Sequence, residues 1–485
     1  MNHRVQRSVI SLFISGCLII SSASAATETI DELQQRVNEL SRQLEKTKVE
    51  LGRAKKAENE ASKKAEIANA ELNEIRNSFD QRAPIEEAKI QLGPVTVGGA
   101  MRVNYVHGSY VVDDAGNGHY RGGNGGNIEL DTFRFNLALA RDKWIGALEY
   151  RWYSDYGKSF PASYSFLHTG WIGYQFDEDS HIEVGVNRVP FGAGPYGVAQ
   201  SYMFDMHYYL GLADDMDLGV KYVTSLGDWK FDAAYYLRSE TNGKGWSLDS
   251  TRYSFDVVRW NESVDADGNF IYGGDENGYD ERNQLNFRAI RSMEIFNADS
   301  ELGASMQYGQ LKGTGTDDGD HWAVSAHMIN NWGDLKLGTQ LTRYEYRIDS
   351  DNPWQTDQLV PSGAFAFAWL LASKAWVPAI SLSYSYAPSI SWIEKIVPYI
   401  EYSHVIKDES SFNDSQMFAI GSQFYKGGWL IYTDLVLANG NWFIGNEADD
   451  GQADNYNRID GVGDWGANGN NRWNTRFTIN FGYYF

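Results

Sequence analysis

Cysteine is almost missing from this sequence: one residue, Cys17, in a chain of 485. That count excludes disulfide scaffolds, zinc ribbons and CxxC redox sites. Proline is scarce, with 10 residues, and no stretch reaches the ~18 apolar residues that a membrane helix needs. Basic residues are outnumbered, 42 Lys and Arg against 64 Asp and Glu, for a net charge of −22. Nucleic acid is therefore not an expected partner, because phosphate recognition rests on clustered Lys and Arg. Glycine (48) and aromatic residues (16 Trp, 30 Tyr, 23 Phe) are abundant instead. Many aromatics without a long apolar run fit a transmembrane β-barrel, whose lipid-facing residues alternate with polar ones.

Residues 1–25 have the form of a secretory signal. Arg4 and Arg7 precede an apolar core from Val9 to Ile20, and Ala23-Ser24-Ala25 supplies a small-residue cleavage site. Cleavage after Ala25 removes two Arg and no acid, taking the net charge from −22 to −24. Ile14-Ser15-Gly16-Cys17 also fits a lipobox with Cys17 lipidated, but the apolar Leu18-Ile19-Ile20 that comes next is unusual for a mature lipoprotein.

Residues 26–82 contain no Trp, Tyr or Pro and one glycine, Gly52. In heptads from Ile30, the a positions are Ile30, Val37, Leu44, Leu51, Glu58, Ala65, Leu72 and Phe79. The d positions are Leu33, Leu40, Thr47, Ala54, Ala61, Ala68 and Ile75. Only Thr47 and Glu58 break the apolar seam, which predicts an α-helical coiled coil. The alternative is a single amphipathic helix lying on another domain. The Ala-rich middle layers are weak, so such a coil leans on oligomerisation of the domain C-terminal to it. Residues 83–94 read as a linker.

From Val95 to Phe485 the period changes to 2. Phe133, Phe135, Leu137 and Leu139 alternate with Thr132, Arg134, Asn136 and Ala138, and Trp229 to Arg238 repeats the pattern. A soluble β-sandwich also alternates, but it needs a polar outer face and an aliphatic core. Here Trp and Tyr stand on the apolar face near segment ends, where a lipid interface places them. Phe477, Ile479, Phe481, Tyr483 and Phe485 alternate with Arg476, Thr478, Asn480, Gly482 and Tyr484. A strand of this kind resembles the assembly signal of bacterial outer-membrane proteins, with Phe481, Tyr483 and Phe485 as its aromatic positions. Short turns are expected at Arg141-Asp142-Lys143, Asp177-Glu178-Asp179, Gly227-Asp228, Asn297 to Ser300, Gly333-Asp334 and Lys426-Gly427-Gly428. Counting segments gives seventeen. Treating Ala364 to Trp376 as a packed insertion restores parity, so sixteen antiparallel strands are expected, with eighteen as the alternative.

Gly185-Val186-Asn187-Arg188-Val189-Pro190-Phe191-Gly192 resembles the strand-to-loop motif of the phosphate-selective porin family, in which a basic residue precedes Pro-Phe-Gly. The coiled coil ahead of the barrel is also similar to that of some sugar and dicarboxylate porins. The resemblance implies a trimeric, sixteen-stranded porin of the Gram-negative outer membrane, with an infolded third loop narrowing each pore. The acidity of this chain departs from the anion-specific members.

Alternation places Arg102, Arg134, Arg151, Lys221, Lys230, Arg238, Arg288 and Arg476 on the pore wall, with Glu149, Asp217 and Asp232 between them. Charged rings of this kind set ion preference. The run Gly192 to Ala213 is the candidate constriction loop, carrying Tyr196, Tyr202, Asp205, His207, Tyr208 and Tyr209. Its alternative is a loop packed on the barrel rim.

Catalysis finds no motif: HExxH, GxSxG and Walker patterns are missing, so no enzyme, cofactor or metal is expected. Asp265 to Glu276 has the length of a calcium loop, but Phe270 stands where the sharp turn needs Gly, which favours a solvated turn. The acid-rich loops 240–283 and 440–472 are expected outside, near lipopolysaccharide. The expectation is thus a diffusion porin for small hydrophilic solutes, mildly favouring anionic or polar ones such as carboxylates, phosphate or sugars. It would lie in the outer membrane as a homotrimer, with the coiled coil in the periplasm. The second reading is a structural tether whose coil reaches toward the cell wall.

Overall fold

The computed structural model describes residues 90–485 except 111–120, 123–124, 155–163, 246, 248, 260–261, 265–269, 273–276, 353, 446–463 and 470. It also describes eight scattered helical residues between Gln35 and Lys48. The signal segment, Cys17 and nearly all of the coiled-coil heptads lie outside the described residues, as does most of the calcium-loop-like stretch.

Sixteen strands form the wall. They are β1 (Val95–Gly108), β2 (Asn127–Arg141), β3 (Trp144–Tyr153), β4 (Tyr164–Gln175), β5 (Ser180–Arg188), β6 (Met216–Leu226), β7 (Trp229–Ser239) and β8 (Gly278–Ile295). The remainder are β9 (Ala298–Thr314), β10 (Gly319–Trp332), β11 (Leu335–Arg347), β12 (Lys374–Tyr384), β13 (Lys395–Lys407), β14 (Ser415–Lys426), β15 (Trp429–Asn439) and β16 (Trp473–Tyr484). Each pairs antiparallel with its neighbour in sequence, and β1 pairs with β16 from Ala100↔Tyr484 to Gly108↔Arg476, closing the barrel. The strand count is therefore sixteen, not eighteen. Part of the expected linker is ordered, since Ile90–Leu92 pairs with Val95–Val97.

The six expected short turns all join strands at one end of the barrel. Five of them are built on left-handed residues: Asp142, Gly227, Phe296 with Asn297, Gly333 and Gly427. Two-residue hairpins require such conformations, because only they match the right-handed strand twist. The opposite end carries eight connections, here L1–L8, most of them longer; L3 spans 189–215, L4 240–277, L6 348–373 and L8 440–472.

The two faces of the wall are inverted relative to a soluble protein. Leu148, Ile172, Val220, Phe287, Met306, Val324, Ile380, Ile400, Ile420 and Leu435 are exposed on the outside. Thr132, Asn286, Gln307, Ser325, Thr342, Ser403, Gln423 and Asn480 are buried on the inside. Trp144, Trp229, Tyr384 and Trp429 ring the turn end, and Tyr235, Tyr308, Trp376 and Trp473 ring the other. An apolar band between two aromatic girdles is the surface that a bilayer selects. Among the described residues no helix is long and apolar enough to cross a membrane.

The insertion at 364–376 is partly as expected. Leu359–Ala364 and Phe367–Ala372 form a hairpin that leaves the wall and joins Asp256–Val257 of L4 in a separate three-stranded sheet. Trp376, by contrast, belongs to β12. Around that small sheet lies the main apolar core, contributed by loops: Tyr208 and Tyr209 of L3, Phe255 of L4, Trp369 of L6 and Trp465 of L8.

Candidate functional site

L3 begins where Arg188-Val189-Pro190-Phe191-Gly192 leaves β5. Gly192 takes φ +66°, a conformation that disfavours side chains, and a Cβ there would stand 2.6 Å from Gln340 Nε2. Its N–H donates to Ser305 Oγ at 2.9 Å, so the chain turns inward at this point.

A loop inside the barrel must find acceptors for its backbone N–H groups. The far wall supplies them. Ala193 N–H donates to Gln340 Oε1 (2.9 Å), Ser201 N–H to Glu401 Oε2 (3.2 Å), Tyr202 N–H to Asp434 Oδ2 (2.8 Å) and Met206 N–H to Ser403 Oγ (3.0 Å). Gln200 N–H also donates to Glu401. Bonds to ionised acceptors are about twice as strong as neutral ones, and Glu401 and Asp434 are buried carboxylates on β13 and β15. L3 therefore crosses the interior rather than packing on the rim.

Asp205 and His207 belong to this fastening. The Asp205 carboxylate accepts the N–H of His207 (2.9 Å) and of Val198 (3.2 Å), while the His207 ring lies between Asp205 Oδ1 and Thr342 Oγ1, 2.9 Å from each. Both side chains are buried in the seam between loop and wall. The four tyrosines face the other way.

Between L3 and the wall of β1–β3 and β15–β16 lies a cavity that opens to solvent. Its lining includes Tyr196, Tyr202, Tyr208 and Tyr209 of L3, and Arg102, Arg121, Arg134, Arg151 and Arg476. Aromatic residues of the other loops complete it: Tyr253, Phe365, Phe367, Trp442 and Phe443. The guanidiniums stand over rings, Arg102 5.5 Å from the centre of Tyr202, Arg134 4.9 Å from Tyr484 and Arg151 4.4 Å from Tyr253. Stacking and cation–π attraction fix these planes, and their N–H edges engage Asp131 (Arg102) and Glu149 (Arg134 and Arg151). Burial pushes the Tyr202, Tyr208, Tyr209 and Tyr253 hydroxyls upward, so all four are neutral phenols; Tyr209 donates to the Met203 carbonyl and Tyr253 to Asp214, each at 2.6 Å.

The charge pattern differs from the sequence expectation of eight bases against three acids. Arg238 is not on the pore wall. A bulge between Leu218 and Gly219 on β6 pairs Leu218 with Arg238 and Gly219 with Tyr236, so the alternation shifts by one residue at Leu237. Arg238 is accordingly exposed, opposite the outward-facing Leu218. Further carboxylates enter the interior: Asp131 pairs with Arg102 (2.8 Å), Glu129 with Arg121 (2.6 Å), Asp214 with Arg188 (2.9 Å) and Glu183 with Lys221 (2.9 Å). Glu149 is fully buried between Arg151 and Arg134, 3.7 Å from the latter. Arg288 holds Asp232 at 2.8 Å. Lys221, Lys230 and Arg288 do not line the cavity. Asp217 is buried elsewhere on the inner face.

The cavity itself still counts five Arg against Glu129, Asp131 and Asp214. Sequence reasoning missed Glu129 and Asp131, because the β1/β2 bulge at Asp131 is invisible in the pattern, and Arg121, which comes from L1 between the two strands. It also missed Tyr253, Phe365 and Trp442. The signal was there: solvated loops seldom carry Tyr253-Ser254-Phe255 or Trp442-Phe443, and these loops fold inward to bury them.

Phe481 and Tyr483 lie on the outer face, and the backbone of Phe485 exchanges both hydrogen bonds with Gly99 (2.7 and 3.0 Å).

No family profile and no curated protein sequence matches the chain. Solved structures do resemble it in fold. The outer-membrane channel DcaP of Acinetobacter baumannii aligns over 81% of this chain and 97% of its own, at 9% identity and a TM-score of 0.47. OmpF of Salmonella typhi in complex with daunomycin aligns over 82% and 100%, at 11% identity and a TM-score of 0.47. The anion-selective porin from Comamonas acidovorans aligns over 81% and 99%, at 13% identity and a TM-score of 0.46. Likeness at this level assigns no function.

Proposed function

We propose that the chain is an outer-membrane diffusion channel for small hydrophilic solutes, with a mild preference for anionic or polar ones. The observation that carries this reading is the cavity between L3 and the β1–β3 wall, with five Arg and eight Tyr on its surface, four of the Tyr from L3. Five arginines against three acids leave the cavity with an excess of positive charge that attracts carboxylate or phosphate groups, and neutral tyrosine faces suit a sugar ring. The net charge of the chain argues for cations, but screening limits its reach: at 0.15 M salt the Debye length is about 8 Å. Loop-crown acids beyond that distance act less on a permeating ion than the arginines beside it. The resemblance of Arg188 to Gly192 to phosphate-selective porins points the same way. The chain acts as a homotrimer in contact with lipopolysaccharide, its coiled coil in the periplasm.

Planar-bilayer recording tests the reading. Stepwise conductance with a zero-current potential on the anion side is expected. Replacing Arg102 by Ser should move that potential toward cation preference. A barrel that inserts and does not conduct favours the tether; a strongly cation-selective channel removes the anion preference. Mass measurement in mild detergent tests the trimer.

A further inference from the structure

Away from the cavity, the interior holds a group of acids that do not line it. Asp215 ends L3, Asp217 is the second residue of β6, and Asp256 lies in the short L4 strand that pairs with the L6 hairpin. Side-chain oxygens of the three lie within 4.8 Å of one another, and the residues are 7%, 1% and 1% exposed. Glu240 and Glu281 border them. The neighbouring cation is Arg252, whose Nη1 is 3.2 Å from Asp256 Oδ2.

The hydrogen-bond ledger does not close. Asp217 Oδ2 accepts from Gln284 Nε2 (3.1 Å) and Glu240 Oε1 from Ser254 N–H (2.9 Å). Asp215 Oδ1, Asp217 Oδ1 and Glu240 Oε2 are buried and receive no donor among the described residues. Buried carboxylate oxygens left in that state are costly, and a missing ion is one of the few remedies.

We propose that Asp215, Asp217 and Asp256 bind one Ca²⁺ per chain. An all-oxygen set without His or Cys selects a hard cation. Ca²⁺ accepts carboxylate oxygens at about 2.3–2.6 Å in a flexible shell, whereas Mg²⁺ demands near-ideal octahedral geometry at about 2.1 Å and keeps several waters, which a buried group of carboxylates does not offer. With Glu240 and Glu281 the group holds five carboxylates against Arg252, a formal −4 that one divalent ion halves. Because the ligands come from L3, the wall and L4, the ion ties the infolded L4 and its Tyr253 to the barrel.

The test uses the full chain in mild detergent, stripped with EGTA and titrated with Ca²⁺ by calorimetry. One ion per chain is expected, with affinity reduced at least tenfold in both Asp217→Asn and Asp256→Asn, and unchanged in Asp349→Asn in L6. Should either variant fail to fold, the wild type decides: Ca²⁺, but not equal Mg²⁺, should slow proteolysis within L4. Absence of stoichiometric binding overturns the proposal. So does equal affinity in the variants, equal protection by Mg²⁺, or L4 cleavage that is indifferent to Ca²⁺; the last would leave shared protons as what holds the carboxyls together.

Discussion

At the scale of the residue, two kinds of arginine stand on the inner wall. Arg151 is 4% exposed and tied to Glu149, which is fully buried. Removing one partner of a buried pair leaves an uncompensated charge, costing roughly 3–5 kcal/mol. Arg151→Ser should therefore lower the temperature at which the barrel loses its heat-modifiable mobility on a gel. Arg102 is more open: 15% of its side chain and 12% of that of its partner Asp131 are exposed, so water reaches the carboxylate left behind. Arg102→Ser should leave that temperature within a few degrees and act on selectivity instead. Most wall assignments were legible, since period-2 alternation carries Arg134, Glu149, Arg151 and Arg476 inward without further information. Arg238 and Asp131 were not, because a bulge is a matter of two strands in register and one strand's pattern does not contain its partner's.

At the scale of the element, L3 is held by acceptors that lie far from it in sequence. Glu401 and Asp434 each take loop N–H groups. Replacing a charged acceptor by a neutral one weakens each bond by about 1 kcal/mol. The double variant Glu401→Gln with Asp434→Asn should thus give noisier, larger single-channel currents with unchanged barrel assembly. L8 offers a pH test. Burial pushes the Asp464 carboxyl well above its ordinary range, against the opposing pull of Lys407. A raised carboxyl favours the docked loop while protonated, so its contribution is full below about pH 4 and is lost as pH rises toward the shifted value. Proteolysis of L8 should accelerate with rising pH, and Asp464→Asn should flatten that dependence. The inward folding of L4, L6 and L8 was only partly readable: the 364–376 insertion broke alternation and announced itself, while acid-rich composition masked the aromatics of the other two.

At the scale of the whole molecule, the wall is a chain of hairpins with a single exception. Every pairing joins strands consecutive along the wall except β1 with β16, which brings residues 100–108 against 476–484. At that seam Gly99 lies under the last ring, where a Cβ would stand 2.8 Å from Phe485 Cζ and 2.5 Å from the Arg134 carbonyl oxygen. Gly99→Val should slow assembly and lower the yield of heat-modifiable barrel. Deleting Phe485 should do the same while surviving molecules conduct normally; unchanged assembly would separate the aromatic ending from barrel closure.

Hairpins form between near neighbours and cost little loop entropy, whereas the seam must join segments separated by almost the entire wall. Until that junction forms, β1 and β16 each present a bare edge able to pair with any other unfinished strand. The time between completing the fifteenth hairpin contact and joining the two edges is thus the interval of greatest exposure to misassembly. A cell that must move such a chain through an aqueous compartment has reason to hold those two edges apart from others of their kind.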